Sequence, residues 1–151
     1  MRRRFVIPLI VAGVILFLAI SGLLARGFSV SSAEEGAITA LVRAEARGDE
    51  NAVIGLITGC RADASCRARA IADTAALRHP GSVSIAEINP SSSFSLGSTL
   101  GTARVAWLAG GSLPRVQCLR VRHAGDILSG FRVQLLEVRR IRSNADCPKR
   151  F

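Results

Sequence analysis

The stretch VQCLRVRHAGDILSGFRVQLLEV, residues 116–138, decides the fold that this sequence predicts. Apolar and polar residues alternate along it on both sides of an Ala-Gly-Asp turn, a pattern typical of a β-hairpin. We place Gly125 at the centre of that turn. The alternation slips at Leu135–Leu136, which predicts a β-bulge of the kind that lets a long strand bend.

The two faces of this hairpin carry different chemistry. A turn centred on Gly125 pairs Leu119 with Phe131, and the odd positions then share the face that packs on the core. Four of these core-facing residues and one tryptophan from the preceding strand are the candidate lining of a cavity behind this face. They are Trp107, Leu119, Val121, Phe131 and Val133. The even positions share the outer face, whose arginines, with one from the preceding strand, are Arg104, Arg120, Arg122 and Arg132.

These four outer arginines are the candidate binding surface. Several guanidinium groups on a rigid sheet can form paired hydrogen bonds with carboxylates or phosphates. An acidic protein surface or anionic lipid head groups are therefore the expected partners, and a solvated sheet face or a homo-oligomer contact is the alternative. The formal charge of +9 does not predict nucleic-acid binding, because the chain lacks the interleaved aromatic residues on which single strands stack.

Three helices precede the strands. The segment SSAEEGAITALVRAEARGD has a candidate N-cap at Ser31 or Ser32, apolar residues at helical spacing, and Gly48 at its end. Asp49 caps a second, shorter helix, and a third runs over Arg67–Leu77. The alternating segments SVSIAEI and TARVAWLA add two strands before the hairpin. This order predicts an α+β fold in which three helices pack on one face of a curved antiparallel sheet.

The N-terminus predicts a membrane anchor. Arg2–Arg4 precede Phe5–Leu24, an uncharged run whose helical length of about 30 Å matches the hydrocarbon layer of a bilayer. A cleaved signal peptide is the alternative, although its apolar region is usually only about 7 to 15 residues long. Because positive flanks tend to remain in the cytoplasm, we expect a single-pass cell-membrane protein with a cytoplasmic N-terminus and an extracytoplasmic C-terminal domain. The predicted division is 1–26 for the arginine cluster and transmembrane anchor, 27–32 for a stalk, 33–147 for the domain and 148–151 for a tail.

The four cysteines predict two disulfides. Cys60, Cys66, Cys118 and Cys147 form an even set, which suits an oxidising compartment. A zinc site is the alternative, but the spacing in CRADASC is not that of a zinc knuckle, and no metal site is predicted. Four cysteines allow three pairings. We prefer Cys60–Cys66, which closes a local loop, with Cys118–Cys147 tying the C-terminal tail to the sheet.

The order of elements resembles the NTF2-like, or cystatin-like, α+β family. The resemblance covers roughly Ala33–Ile141 and rests on ARGDENAVIGLI between the first two helices and on the terminal hairpin VQCLRVRHAGDILSGFRVQLLEVRRI. With its anchor, the chain is similar to membrane-tethered members, namely Mce-associated proteins of lipid transport systems and VirB8-like components of secretion machines. The resemblance implies a transmembrane helix followed by an NTF2-like cone, with protein partners in a membrane complex.

Catalysis is the less favoured interpretation. Enzymes with the fold that this chain resembles, such as ketosteroid isomerases and dehydratases, place Asp, His or Tyr inside the cone, and this chain has no tyrosine. His123 and Asp126 fall at the predicted hairpin turn, where we assign them to turn chemistry. His79 precedes a proline and is assigned a contact at a helix end. Glu87 is the one carboxylate that the strand alternation would point into the cone.

The sequence therefore predicts a non-catalytic interaction or assembly module that needs no cofactor. The resemblance implies that it is an accessory of a cell-envelope transport or secretion complex. The alternative is a carrier that holds a small ligand or a lipid in the apolar cone, and an isomerase-like or dehydratase-like enzyme is the least favoured. An open apolar cavity favours the carrier, whereas a cone filled by its own side chains favours the interaction module.

Overall fold

The computed structural model describes residues 3–90, 99–125, 132–142 and 147. Within them, three helices are followed by four strands, as the sequence predicts. The elements are α1 (Arg3–Arg47), α2 (Glu50–Leu56), α3 (Ala64–Leu77), β1 (Val83–Asn89), β2 (Thr99–Ala109), β3 (Arg115–Ala124) and β4 (Arg132–Arg140). The strands form an antiparallel sheet in the order β1-β2-β3-β4, so the α+β class is confirmed.

The break between α1 and α2 lies where glycine and aspartate predict it. Gly48 has φ of 75°, a left-handed conformation that glycine adopts without the clash a Cβ would bring. The Asp49 carboxylate then accepts a hydrogen bond from the Ala52 N–H at 3.0 Å and caps α2. The third helix begins earlier than predicted, because Asp63 caps it by accepting from the N–H groups of Ser65 and Cys66.

The first helix is longer than the sequence predicts. It runs without interruption for 45 residues, so its expected start at Ser31 or Ser32 is wrong and residues 27–32, predicted as a stalk, are helical. No proline lies between Leu24 and Ala33, and a single interior glycine disfavours a helix by only about 1 kcal/mol. Nothing in this segment is therefore strong enough to end the helix.

The predicted transmembrane anchor is contradicted. In the part of the chain that the structure describes, none of the helices combines the length and the apolar character needed to cross a membrane. The predicted single-pass membrane localisation rests on that anchor and is corrected with it.

The bulge predicted in the last strand is confirmed. Arg120 pairs with Glu137, whereas the next residue of β3, Val121, pairs with Leu135. Leu136 is therefore the extra residue, and an extra residue on one strand of an antiparallel pair bends that strand. The Thr58 N–H donates to the carbonyl of Leu135 at 2.7 Å, which joins the end of α2 to the sheet at this bend.

The predicted pairing of the hairpin is wrong, although its two faces are right. Leu119 pairs with Val138 and not with Phe131, which lies outside the described residues. Ala124 still pairs with Arg132, so the sheet continues to the residue before Gly125, where the turn was predicted. From Val121 to Ala124, each residue of β3 pairs with a residue of β4 that lies an even number of positions from its predicted partner. Side chains alternate with a period of two, and the core face and the outer face therefore keep their assignments.

The hydrophobic core lies between the inner face of the sheet and the three helices. Trp107 on β2 is its largest fully buried side chain in the described residues. Burying a large apolar side chain contributes about 1.5–3 kcal/mol. Other fully buried residues of the same core from α1, β2 and β3 are Ile38, Leu41, Val42, Val105, Leu119 and Val121.

Both disulfides form with the preferred pairing. Cys60 is bonded to Cys66, and Cys118 is bonded to Cys147. The zinc alternative is therefore excluded for these cysteines, because a disulfide sulfur is not a thiolate ligand. The first bond closes the loop between α2 and α3, and the second ties residue 147 to the outer face of the sheet.

Candidate functional site: the outer face of the sheet

The strand pairing brings the predicted surface arginines together on one face. The cross-strand rows of this outer face are Arg104–Cys118–Arg139, Thr102–Arg120–Glu137 and Leu100–Arg122–Gln134. Arg132 lies two residues from Gln134 along β4, diagonal to Arg122. The four candidate arginines are thus neighbours on one rigid surface, as the alternation predicts.

The centre of this face is partly covered. Cys118 is 5 % exposed and its disulfide partner Cys147 is 9 % exposed, so Cys147 lies against the sheet at this point. Arg104, directly opposite Cys118 on β2, and Arg120, in the next row, are half-buried. Glu137, the acidic residue of this region, already accepts a hydrogen bond from Arg139 Nε at 2.6 Å.

Arg122 and Arg132 form the exposed end of the face, which we name the basic edge. Arg122 lies between Leu100 and Gln134, and Arg132 lies opposite Ala124, so their cross-strand neighbours are uncharged. Diagonal residues of an antiparallel pair have Cβ atoms about 7–8 Å apart, a spacing at which both guanidinium groups can reach one acidic segment. Leu100 beside them is 45 % exposed and adds an apolar contact.

A buried polar chain crosses the inner face of the sheet. The Trp107 Nε1–H donates to Gln117 Oε1 at 2.8 Å, and the Gln117 amide donates through Nε2 to Glu45 Oε2 on α1 at 2.8 Å. Glu45 is 1 % exposed and Gln117 is fully buried. Burial raises the pKa of Glu45 to about 7, against the lowering effect of the hydrogen bond from Gln117.

An ion pair lies beside this carboxylate. Arg140 Nε is 3.1 Å from Asp73 Oδ1; the negative charge of Asp73 raises the pKa of Glu45, and the positive charge of Arg140 lowers it. Because the chain of hydrogen bonds is sealed from solvent, Glu45 acts on the stability of the fold and not on a substrate. Its ionisation near neutral pH makes that stability depend on pH.

His123 has a different role from the predicted one. It lies in β3 on the inner side, and its Nε2 is 2.6 Å from Oε2 of Glu34 on α1. Glu34 is 1 % exposed, so it is a buried partner of the sheet. The pair joins the middle of the long helix to the end of the sheet near the hairpin connection.

The other candidate acids and bases do not meet inside the fold. A register shift in β1 between Ile85 and Glu87 turns Glu87 to the outer face, where it is exposed and accepts from the Asn89 amide at 2.8 Å. The His79 N–H donates to the carbonyl of Ala46 at 3.0 Å, the expected helix-end contact. Asp126 lies outside the described residues.

The residues proposed to line a cavity belong to the packed core. Trp107, Leu119 and Val121 have no exposed surface, and Val133 is half-buried against the same cluster. Phe131 is not among the described residues. The indole N–H of the tryptophan is already bonded within the protein, which supports the filled cone over an open ligand chamber.

The buried polar residues are the part of the site that sequence reasoning missed. Glu45 falls on the same helical stripe as Leu41 and Val42, and Gln117 falls on the core side of β3. A polar residue at a predicted core position is itself a signal, because such a group needs a buried partner. Only the packing of α1 on the sheet shows that Glu45 and Gln117 bind each other.

Comparison with known proteins adds no relative. No protein-family model, no curated protein and no solved structure matches the chain. The NTF2-like resemblance and its membrane-tethered variants therefore stay predictions.

Proposed function

We propose that this protein is a non-catalytic interaction module that binds an acidic segment of a protein partner through the basic edge. The observation that carries the proposal is the pair Arg122 and Arg132, two exposed arginines on neighbouring strands whose cross-strand neighbours are uncharged. Arginine forks form charge-assisted, paired hydrogen bonds with carboxylates. Their placement on a sheet supplies fixed geometry before the partner arrives.

The mixed charge of the outer face favours a protein partner over an anionic bilayer. Glu137 lies in the row next to Arg122, and Glu87 is exposed on β1 of the same face. A uniformly negative membrane surface would meet these carboxylates with repulsion. A protein surface can instead place its acidic residues against the arginines and its donors against the glutamates.

The packing of the inner face supports the same function. The candidate cavity residues Trp107, Leu119 and Val121 are fully buried, and an interior occupied by its own side chains leaves the surface as the place for recognition. This argues against the carrier alternative.

The test measures binding of a defined acidic probe to the full chain. The chain is kept in a non-ionic detergent, because the exposed apolar side chains between Leu9 and Leu24 would otherwise associate. A fluorescent peptide of about ten glutamates is titrated, with a glutamine peptide as the neutral probe. Charge reversal of both basic-edge residues, Arg122→Glu with Arg132→Glu, should weaken binding at least ~30-fold, since each close charge pair contributes roughly 1.5 kcal/mol or more.

A matched control separates site from net charge. Arg69→Glu with Arg67→Glu reverses two charges on α3, outside the basic edge, and should change affinity by less than ~3-fold because of screening at physiological salt. Trp107 fluorescence checks that each variant is folded. Equal affinity in the basic-edge variant and the original chain would reject the proposal, as would equal losses in both double variants.

A further inference from the structure

A second basic surface lies on the helical side, away from the sheet. The depression between α1 and α2 has a volume of about 540 Å³, within the range of small-molecule sites. The residues that line it are Ala40, Arg43, Ala44, Arg47, Asn51, Ala52, Gly55, Leu56 and Arg61. Three of them are arginines and none is acidic, so this groove carries a positive charge that its own walls do not neutralise.

The three arginines are held close together without counter-charges. Arg43 and Arg47 are one turn apart on α1, where like charges repel. In the described part of the chain, the ion pairs join other residues, and the side chains of Arg43, Arg47 and Arg61 make no further interaction. All three side chains are exposed, so water and salt screen their mutual repulsion, and an anion that enters the groove is attracted by all three charges.

The third arginine is positioned by two features of the fold. Arg61 lies in the loop closed by the Cys60–Cys66 disulfide, and its carbonyl accepts a hydrogen bond from Arg67 Nη1 at 2.6 Å. A Cβ on Gly55 would lie 3.1 Å from Arg61 Nη2, so the guanidinium group occupies the space that this glycine leaves open on α2. The disulfide and the glycine together bring Arg61 to the groove.

We propose that this groove binds the phosphate group of a small molecule. Guanidinium groups from three backbone positions surround the depression, which suits an anion with several oxygen atoms and more than one charge, whereas a single carboxylate is satisfied by one arginine fork. The amide of Asn51 adds a donor, and Ala44, Ala52 and Leu56 supply an apolar wall for an organic part of the ligand. The ligand class is a phosphomonoester or a diphosphate.

The experiment titrates pyrophosphate into the full, disulfide-bonded chain in non-ionic detergent and follows the heat of binding. Saturable binding with one site is expected, with sulfate at matched ionic strength at least ~10-fold weaker. Arg43→Gln and Arg61→Gln should each weaken pyrophosphate binding by ~10-fold or more, the effect of losing one charge-assisted contact. Arg69→Gln, which removes an exposed charge from α3, is the matched control and should change affinity by less than ~2-fold.

A glycine variant tests the positioning of Arg61 without removing a charge. Gly55→Leu should raise or preserve thermal stability, because leucine favours a helix more than glycine, and should weaken pyrophosphate binding by displacing the guanidinium group. No saturable binding in the original chain would overturn the proposal. Equal losses in Arg69→Gln and Arg43→Gln would overturn it too, since binding would then follow net charge.

Two further probes distinguish the source of the phosphate. Glycerol 3-phosphate represents a soluble phosphomonoester, and dihexanoyl phosphatidic acid below its micelle concentration represents a lipid head group with short acyl chains. Tighter binding of the second, lost in Arg43→Gln, assigns the groove to a lipid phosphate. Equal affinity for the two assigns it to a soluble phosphate. The basic-edge variants leave this groove intact, so the outcome is independent of the function proposed for the sheet.

Discussion

Glu45 provides the sharpest test of how this core is built. Replacing it with glutamine keeps an oxygen that can accept the hydrogen bond from Gln117, 2.8 Å away in the original chain, and removes the ionisable group. The neighbouring charged groups, Asp73 and Arg140, remain in place. The substitution therefore isolates the energetic effect of ionising a buried carboxylate.

The magnitude follows from the shift in pKa. Burial raises the pKa of Glu45 from its ordinary 4.5 to about 7, so the folded state holds the proton more tightly than the unfolded state does. The resulting stabilisation is fully present below pH ~4.5 and is lost as the pH rises through about 7. Each unit of pKa corresponds to 1.36 kcal/mol, which gives a loss of about 3 kcal/mol from this residue across the window.

The assay is equilibrium unfolding in guanidinium chloride, followed by the fluorescence of Trp107, the chain's one tryptophan. Both proteins are measured with disulfides intact at about pH 4.5, 6 and 8. The groups common to both cancel in the difference between their free energies of unfolding. Between the lowest and the highest pH, we expect the free energy of unfolding of Glu45→Gln to rise by about 3 kcal/mol relative to that of the original chain.

A control on the same helix completes the experiment. Glu35 is exposed on α1, and Glu35→Gln should change this pH-dependent difference by well under 1 kcal/mol, as surface substitutions generally do. Parallel pH profiles for Glu45→Gln and the original chain would refute the reasoning. So would a difference that grows toward low pH, because the sign of the linkage would then be reversed.

Three other variants test the two disulfides and the buried polar chain. Replacing both cysteines of the Cys118–Cys147 disulfide, which spans 29 residues, with serine should lower the free energy of unfolding by about 3.5 kcal/mol. The same change at the Cys60–Cys66 disulfide, which spans 6 residues, should lower it by about 2 kcal/mol, because a shorter loop constrains the unfolded chain less. Equal losses in urea unfolding would contradict the loop-entropy argument. Trp107→Phe removes the donor to Gln117 Oε1 and should destabilise the fold by at least about 1–3 kcal/mol, the penalty for a buried polar atom that loses its partner. Unfolding followed by circular dichroism measures this loss, and an unchanged midpoint would show that the bond contributes nothing.

Local signals predicted the elements because their causes are local. Gly48 and Asp49 end one helix and begin the next through the conformation of one glycine and the reach of one carboxylate. The slip in alternation at Leu135–Leu136 marks a bulge because each residue of a strand reverses the side-chain direction. The outer placement of Arg122 follows from the same rule, and an even error in register left it unchanged.

Long-range partners could not be predicted in this way. Gln117 and Glu45 are 72 residues apart, and His123 and Glu34 are 89 residues apart. Which buried donor meets which acceptor depends on how α1 crosses the sheet, and no periodicity within either segment contains that information. His123 was assigned to a turn because the turn was centred on Gly125, whereas His123 pairs with Val133 inside the sheet.

The sequence by itself determined the α+β order, the break between the first two helices at Gly48 and Asp49, the two faces of the terminal hairpin and the arginine row on its outer face. Backbone conformation and side-chain alternation at these places are set by neighbouring residues. The tertiary structure alone decided the continuity of α1, the pairing register, the raised pKa of Glu45 and the arginine groove beside Gly55. Each of these depends on free energies shared between distant segments: burial removes water from a carboxylate, and packing brings guanidinium groups together. The basic edge belongs to both, since alternation placed its arginines outward and the strand pairing made them neighbours.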